Sequence, residues 1–96
     1  MEIDLSISQS SQSIRKPLTR KQKEIFYEIF HYISKKGYPP TRLEIAEAIS
    51  KLWNKKVSRQ AIDFHLNLIA KKGWLKIKKG QPRNIIVNFN ELDVSI

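Results

Sequence analysis

The chain has 96 residues and a mass of 11.3 kDa, enough for one small domain with a modest core. This length excludes a barrel enzyme or a two-domain nucleotide-binding fold, and the sequence has neither an apolar run of about 18 residues that would span a bilayer nor the apolar core of a signal peptide. Cysteine is absent, which excludes disulfides, thiolate zinc sites and thiol nucleophiles, and a formal charge of +9 favours a polyanionic partner, most commonly nucleic acid, over an ordinary solvated surface.

The two ends of the chain differ in composition from its middle. Residues 1–16 are rich in Ser and Gln and predict a flexible N-terminal tail, and residues 91–96 predict a C-terminal tail. Apolar and polar residues nevertheless alternate within residues 3–7 and 92–96, which is the pattern of a half-buried strand. Two interpretations stay open: chance in frayed termini, or strands that extend a sheet or pair with a second subunit.

The first helix is predicted to begin after Thr19. Gln22 stands three residues later and forms a capping box with Thr19, in which each side chain accepts a hydrogen bond from the other backbone N–H. An apolar stripe with a period near 3.6 follows, and Gly37 supplies the left-handed residue that ends the helix.

Two further helices are predicted beyond Pro39-Pro40. A second capping box, Thr41 with Glu44, begins a helix that runs from Arg42 to about Trp53. Ser58 is a favourable N-cap for a third helix from Arg59 to about Lys72, and Gly73 ends it.

A change of hydrophobic period from 3.6 to 2 follows the third helix. Residues 74–79 and 84–89 alternate as strands do, and residues 80–83 contain the Gly and Pro of a loop. The sequence therefore predicts an α+β fold over residues 17–90: a winged helix-turn-helix, with three helices followed by a two-stranded β-hairpin wing. In this architecture the third helix enters a DNA groove and the hairpin flanks it.

The third helix has one apolar and one mainly polar face. Gln60, Asn67 and Lys71 lie opposite the predicted core positions, and Gln60 suits bidentate pairing with adenine, whereas Asn67 and Lys71 lie further along the helix and are expected to meet phosphates. Phe64 is the exception on the polar face. Its ring could pack with Leu68 as a satellite of the core, or contact thymine methyl groups in the major groove.

All 18 Lys and Arg residues lie between Arg15 and Arg83, together with five acidic residues, so this segment carries a formal charge of +13. Several of these cations fall in the connection before the third helix or at the wing tip, the two places that border the groove, although others could simply complement helix C-termini. The predicted phosphate contacts are Thr41, Arg42, Lys55, Lys56, Arg59, Asn67, Lys71, Lys78, Lys79 and Arg83. The two histidines are expected to be packing or surface residues, and neither a metal site nor a cofactor is predicted.

The strings at residues 17–22, 37–46 (GYPPTRLEIA) and 61–73 resemble the N-terminal DNA-binding domain of the LexA repressor family, and the resemblance covers about residues 17–89. It implies a winged helix-turn-helix that represses transcription, as in the SOS response, by binding an inverted-repeat operator as a dimer. Carried over by position, the residues that contact bases would be Ser58, Gln60, Ala61, Asp63 and Phe64.

Three features depart from the family pattern. Residues 50–57 are longer than the usual connection between the second and third helices, which is short and commonly contains Gly. Gln60 and Phe64 replace an Asn and an acidic residue, so we expect a different operator. The chain also carries no protease domain or cleavable linker, so induction by self-cleavage is not expected.

The sequence thus predicts a sequence-specific DNA-binding transcriptional regulator in the cytoplasm, bacterial or phage-encoded and associated with the nucleoid when bound. Two modes of binding to double-stranded DNA stay open: as a homodimer formed through the tails or the wing, or as a weak monomer. An alternative is a protein-interaction module of the same fold that binds a full-length repressor, a polymerase or a replication protein. Replication initiation or DNA packaging is a third possibility. An enzyme is not expected, because the sequence has no Gly-rich phosphate loop, metal cluster or paired carboxylates.

Overall fold

The computed structural model describes residues 15–88. It contains α1 (Arg20–Lys36), α2 (Arg42–Trp53) and α3 (Arg59–Lys71), followed by β1 (Leu75–Ile77) and β2 (Ile85–Val87). The two strands pair antiparallel, with Leu75 opposite Val87 and Ile77 opposite Ile85. This order confirms the predicted α+β winged helix-turn-helix. The predicted tail strands lie outside the described residues, as do residues 1–14 of the N-terminal tail, the whole C-terminal tail and the end of the second predicted strand at Phe89.

The helix ends follow the predicted capping residues. At α1, the Thr19 hydroxyl accepts from the Gln22 N–H at 3.2 Å and the Gln22 side chain accepts from the Thr19 N–H at 2.9 Å. Thr41 and Glu44 form the equivalent box at α2, at 3.2 and 2.8 Å. Gly37 ends α1 in the left-handed region, with φ 82°. Local pairs three residues apart are therefore sufficient to fix where the first two helices begin.

The core is built from the apolar faces of all three helices and the inner face of the hairpin. Fully buried isoleucine and leucine side chains from α1, α2 and α3 meet each other, and the strands cover one end of them. The buried apolar residues are Leu18, Ile25, Phe26, Ile29, Ile45, Ala46, Ile49, Val57, Ile62, Leu66, Ile69, Leu75, Ile85 and Val87. This packing holds α3 with one face inward and the other toward solvent.

The segment at residues 50–57, which is longer than the usual connection of the family, is partly helical, and a hydrogen bond to a serine hydroxyl closes the rest of it. Residues 50–53 are the last turn of α2, which ends at Asn54 in the left-handed region with φ 55°. Ser50 then accepts a hydrogen bond from the Val57 N–H at 2.9 Å. The remaining connection, residues 54–58, therefore turns directly into the N-cap of α3.

The folded part begins earlier than the predicted domain boundary at residue 17. The Lys16 N–H donates to the Lys72 carbonyl at 3.0 Å, and the Lys16 carbonyl accepts from the Trp74 indole at 2.7 Å. The Arg15 guanidinium lies 4.3 Å from the centre of the Trp74 ring. Residues 15 and 16, predicted as part of the flexible tail, are packed against the base of the hairpin, because a distant indole supplies partners that local composition does not reveal.

Candidate nucleic-acid interface

The solvent face of α3 carries a continuous stripe of exposed side chains. The stripe consists of Gln60, Asp63, Phe64, Asn67 and Lys71, spaced three or four residues apart as one helix face requires. The structure therefore brings together three of the five side chains predicted to contact bases. The other two differ: Ala61 is partly buried against the core, and the Ser58 hydroxyl accepts from the Ala61 N–H at 3.1 Å as the N-cap of α3.

Phe64 is the most exposed large apolar side chain of the described residues, at 62%. This exposure excludes the interpretation of Phe64 as a satellite of the core beside Leu68. The Phe64 ring instead meets the His65 ring edge to face, with centroids 5.7 Å apart. The Phe64 ring therefore packs against His65 on one side, and its exposed side is available for contact with an apolar group of a partner.

The His65 ring contacts the rings of both Phe64 and Trp53. The Trp53 and His65 rings meet edge to face at 6.2 Å, and the Trp53 indole donates to the Glu24 carboxylate at 2.6 Å. Burial lowers the pKa of His65, and the charge of Lys21 lowers it further. Both effects favour the uncharged form of the ring.

Arg42 joins the stripe to the wing. Its Nε donates to the Asp63 carboxylate at 3.3 Å, and one of its terminal nitrogens donates to the side-chain oxygen of Asn84. The Arg42 side chain is only 18% exposed, whereas that of Asp63 is 54% exposed. Sequence reasoning predicted a phosphate contact for Arg42 and a base contact for Asp63, but it did not predict that the two would pair.

Arg83 fastens the wing to the start of α2. Its two terminal nitrogens donate to the two Glu44 carboxylate oxygens, at 2.7 and 3.0 Å, and one of them also donates to the Pro39 carbonyl at 2.9 Å. The guanidinium lies 4.8 Å from the centre of the Tyr38 ring. The hydrogen bond from Arg83 lowers the pKa of Glu44 to about 2, assisted by the Thr41 N–H. The sequence pattern predicted a phosphate contact for Arg83, whereas in the structure its N–H groups donate to acceptors within the domain.

The remaining cations predicted to contact phosphates are exposed and lie mainly in two segments of the chain. Lys55, Lys56 and Arg59 lie in and just after the α2–α3 connection, and Lys78 and Lys79 lie where the wing loop leaves β1. Lys71 and Asn67 are exposed toward the C-terminal end of α3. Thr41 uses its hydroxyl to cap α2. Positive charge therefore borders an exposed stripe whose one carboxylate, Asp63, is paired.

Sequence reasoning missed Asn84 and the second role of Glu44. Asn84 meets Arg42 across 42 positions of the chain, and Glu44 meets Arg83 across 39. The capping box correctly predicted the local role of Glu44, and it gave no reason to expect a second, distant partner. The hairpin register is the signal that could have indicated both pairs. It places residues 83 and 84 together where the wing loop returns to the sheet.

The described residues contain neither a metal-binding cluster nor a membrane-spanning helix. Within residues 15–88 there is no group of three His, Asp or Glu side chains that could hold a metal ion. No helix in the same range is both long and apolar enough to cross a membrane.

Comparison with known proteins identifies the family. The sequence model of the LexA DNA-binding domain matches residues 15–84, most of the chain. The LexA repressor of Haemophilus ducreyi is 39% identical over 83 residues, and that match covers 84% of this chain and 37% of the relative. Those of Actinobacillus pleuropneumoniae and Actinobacillus succinogenes are 41% and 38% identical over 71 and 73 residues, which cover 74% and 76% of this chain. The chain thus spans about a third of the length of these relatives. The family model covers the three helices, the first strand and the wing loop, and the chain belongs to the family of LexA DNA-binding domains.

Proposed function

We propose that this chain is a sequence-specific, double-stranded-DNA-binding transcriptional repressor. The observation that carries the proposal is the exposed stripe of α3, together with exposed cations in the segment that leads into α3 and in the wing loop. Phosphate contacts supply affinity and register, and side chains in the groove supply sequence preference. Such a repressor works in the bacterial cytoplasm, whether the chromosome or a phage encodes it.

Gln60 and Phe64 carry the base contacts in this proposal, with Ser58, Ala61 and Asp63 beside them. The two side chains lie one helical turn apart on the same face, about 6 Å along the axis, which is close to two base-pair steps of about 3.4 Å. The Gln60 amide fits the two adenine groups in the major groove, and the Phe64 ring fits a thymine methyl group. We therefore expect each half-site to contain A·T pairs about two steps apart.

The phosphate contacts come from the exposed cations before α3 and in the wing loop, together with Asn67 and Lys71. Thr41, Arg42 and Arg83 are bonded within the domain and hold the start of α2 and the wing in place beside these cations. If the protein neutralises six or more phosphates, raising the salt concentration from roughly 50 to 200 mM should lower its affinity for DNA by a factor of about 10³ or more. A LexA-type repressor also implies two copies on an inverted repeat, joined through the tails or the wing.

The first experiment is selection of bound sequences from random double-stranded DNA, followed by salt titration on the enriched site. A two-fold symmetric consensus with A·T pairs in each half and a steep salt dependence is expected. A pool without enrichment, or an affinity that stays constant from 50 to 200 mM salt, would contradict the proposal.

The Phe64 contact is tested by Phe64→Ala, with Tyr27→Ala as its matched control. Tyr27 is an aromatic side chain on α1 with nearly the same exposure, 59% against 62%, but it lies away from the stripe. Burying roughly 40 Å² of the ring against a methyl group contributes about 1 kcal/mol, so Phe64→Ala should weaken binding by about fivefold. Tyr27→Ala should leave binding unchanged.

Replacing single thymines of the site by uracil removes the methyl group alone. One such replacement should weaken the wild-type complex and have no effect on the Phe64→Ala complex. If Phe64→Ala leaves DNA binding intact but abolishes association with a protein partner, the chain is the protein-interaction module of the alternative hypothesis.

A further inference from the structure

Asn84 stands where the wing loop returns to the sheet and makes two bonds there. Its backbone carbonyl accepts from the Lys78 N–H at 2.8 Å, which closes the loop that carries Lys78 and Lys79. Its side-chain oxygen accepts from Arg42 at the start of α2. Asn84 therefore connects the two wing lysines to a different element of the fold.

Arg42 continues the connection to α3. The guanidinium is a planar group whose N–H donors point in fixed directions, so one Arg that bonds two acceptors sets the distance between them. Here the acceptors are Asn84 on the wing and Asp63 on the exposed stripe of α3. The Arg42 side chain is mostly buried, which limits its alternative conformations.

From this chain of contacts we propose that Asn84 is a positioning residue for DNA binding. Through Arg42 it sets Lys78 and Lys79 at the distance from α3 at which they meet phosphates while the stripe contacts bases. Asn84 itself need not touch DNA. This inference rests on the proposed DNA-binding function, and it requires that the Arg83–Glu44 pair alone does not hold the wing in place.

The test measures the salt dependence of binding to the selected site for four proteins: wild type, Asn84→Ala, the Lys78→Ala/Lys79→Ala double variant, and the triple variant. Loss of two phosphate contacts lowers the slope of log affinity against log salt by about 1.8. Asn84→Ala removes no charge, yet it should lower the slope toward that of the double variant. The triple variant should bind within about twofold of the double variant, because the lysines have already lost their contacts.

A matched control is Gln81→Ala, which removes an exposed amide from the same loop. It should retain the wild-type slope. Asn84→Asp keeps an acceptor for Arg42, so replacing the two lysines should weaken Asn84→Asp as much as it weakens wild type. Both proteins in that comparison carry the same added carboxylate, so its own effect on binding drops out. The comparison tests the positioning role if thermal melting shows that Asn84→Ala is unfolded.

The outcomes separate the two proposals. If wild type binds no DNA specifically, the proposed function fails. If wild type binds and the lysines contribute, but Asn84→Ala has the wild-type slope or its effect multiplies with theirs, only the positioning role fails. A lysine effect that disappears in the Asn84→Asp background also overturns it.

Discussion

Replacing Ser50 by alanine should destabilise the domain through the α2–α3 connection. The Ser50 hydroxyl accepts from the Val57 N–H at 2.9 Å, and the Val57 side chain is 8% exposed. Alanine leaves that N–H without its acceptor at a point where the chain is packed against the core. The perturbation is confined to one oxygen atom in the last part of α2.

The magnitude follows from two opposing effects. A partly buried donor left unsatisfied costs about 1–3 kcal/mol, whereas alanine gains roughly 0.5 kcal/mol over serine from its helix propensity. The net loss of unfolding free energy is therefore about 0.5–2.5 kcal/mol. For a domain of this size, a loss of about 1.5 kcal/mol lowers Tm by roughly 6–12 °C.

Ser34→Ala provides the matched control, because Ser34 also lies in a helix and its exposed hydroxyl donates to the Phe30 carbonyl at 2.9 Å. The gain in helix propensity is similar in the two variants, so the difference between them reports the bond to Val57. Urea unfolding followed by circular dichroism measures that difference. Unfolding free energies of Ser50→Ala and Ser34→Ala that agree within about 0.5 kcal/mol would show that the hydroxyl does not hold the connection.

Two further predictions concern the ends of α1 and α2. The pKa of Glu44 is about 2 in the folded state against an ordinary value of 4.5, so its pairing stabilises the fold fully above about pH 5 and progressively less as the pH falls toward 2. Urea unfolding at several pH values should show a smaller acid loss for Glu44→Gln than for wild type, and equal losses would contradict the pairing with Arg83. Gly37→Ala should cost about 1–2 kcal/mol from backbone strain alone, because φ is 82° and an added Cβ meets no atom within 4 Å. Gly37→Asn should cost less in the same unfolding assay, and equal costs would contradict a strain-based explanation.

Local patterns were sufficient to predict the helices and insufficient to bound the strands. Capping boxes and helix-ending residues act within a few positions, so α1 and α2 begin and end as predicted and α3 ends one residue early, at Lys71. The strands span residues 75–77 and 85–87, whereas alternation predicted residues 74–79 and 84–89. Backbone hydrogen bonds continue one position beyond the strands, from the Lys78 N–H to Asn84 and from the Asn88 N–H to Trp74, but Lys78 and Lys79 are both exposed and belong to the wing loop.

The candidate site was predictable as a face but not as a set of partners. The helical period places Gln60 and Phe64 on one side of α3, and the structure confirms that side as the exposed one. Whether Phe64 packed inward depended on the space beside Leu68, which no periodicity specifies. Sequence pattern also gave Arg42 and Arg83 the same role as the lysines, because their acceptors lie 21 to 51 positions away.

This difference between arginine and lysine clarifies what the excess charge means. Arg42 and Arg83 attach the wing through several directed bonds, as their rigid, forked donors allow, whereas Lys55, Lys56, Lys78 and Lys79 are exposed. Net charge alone would attract any polyanion. A preference for particular DNA sequences also needs an uncharged surface between the charges, and Gln60, Phe64 and Asn67 provide it while Arg42 pairs with the neighbouring carboxylate of Asp63. The same arginine that pairs with Asp63 also bonds the wing, so the charge balance of the stripe and one of the two arginine attachments of the wing depend on one side chain.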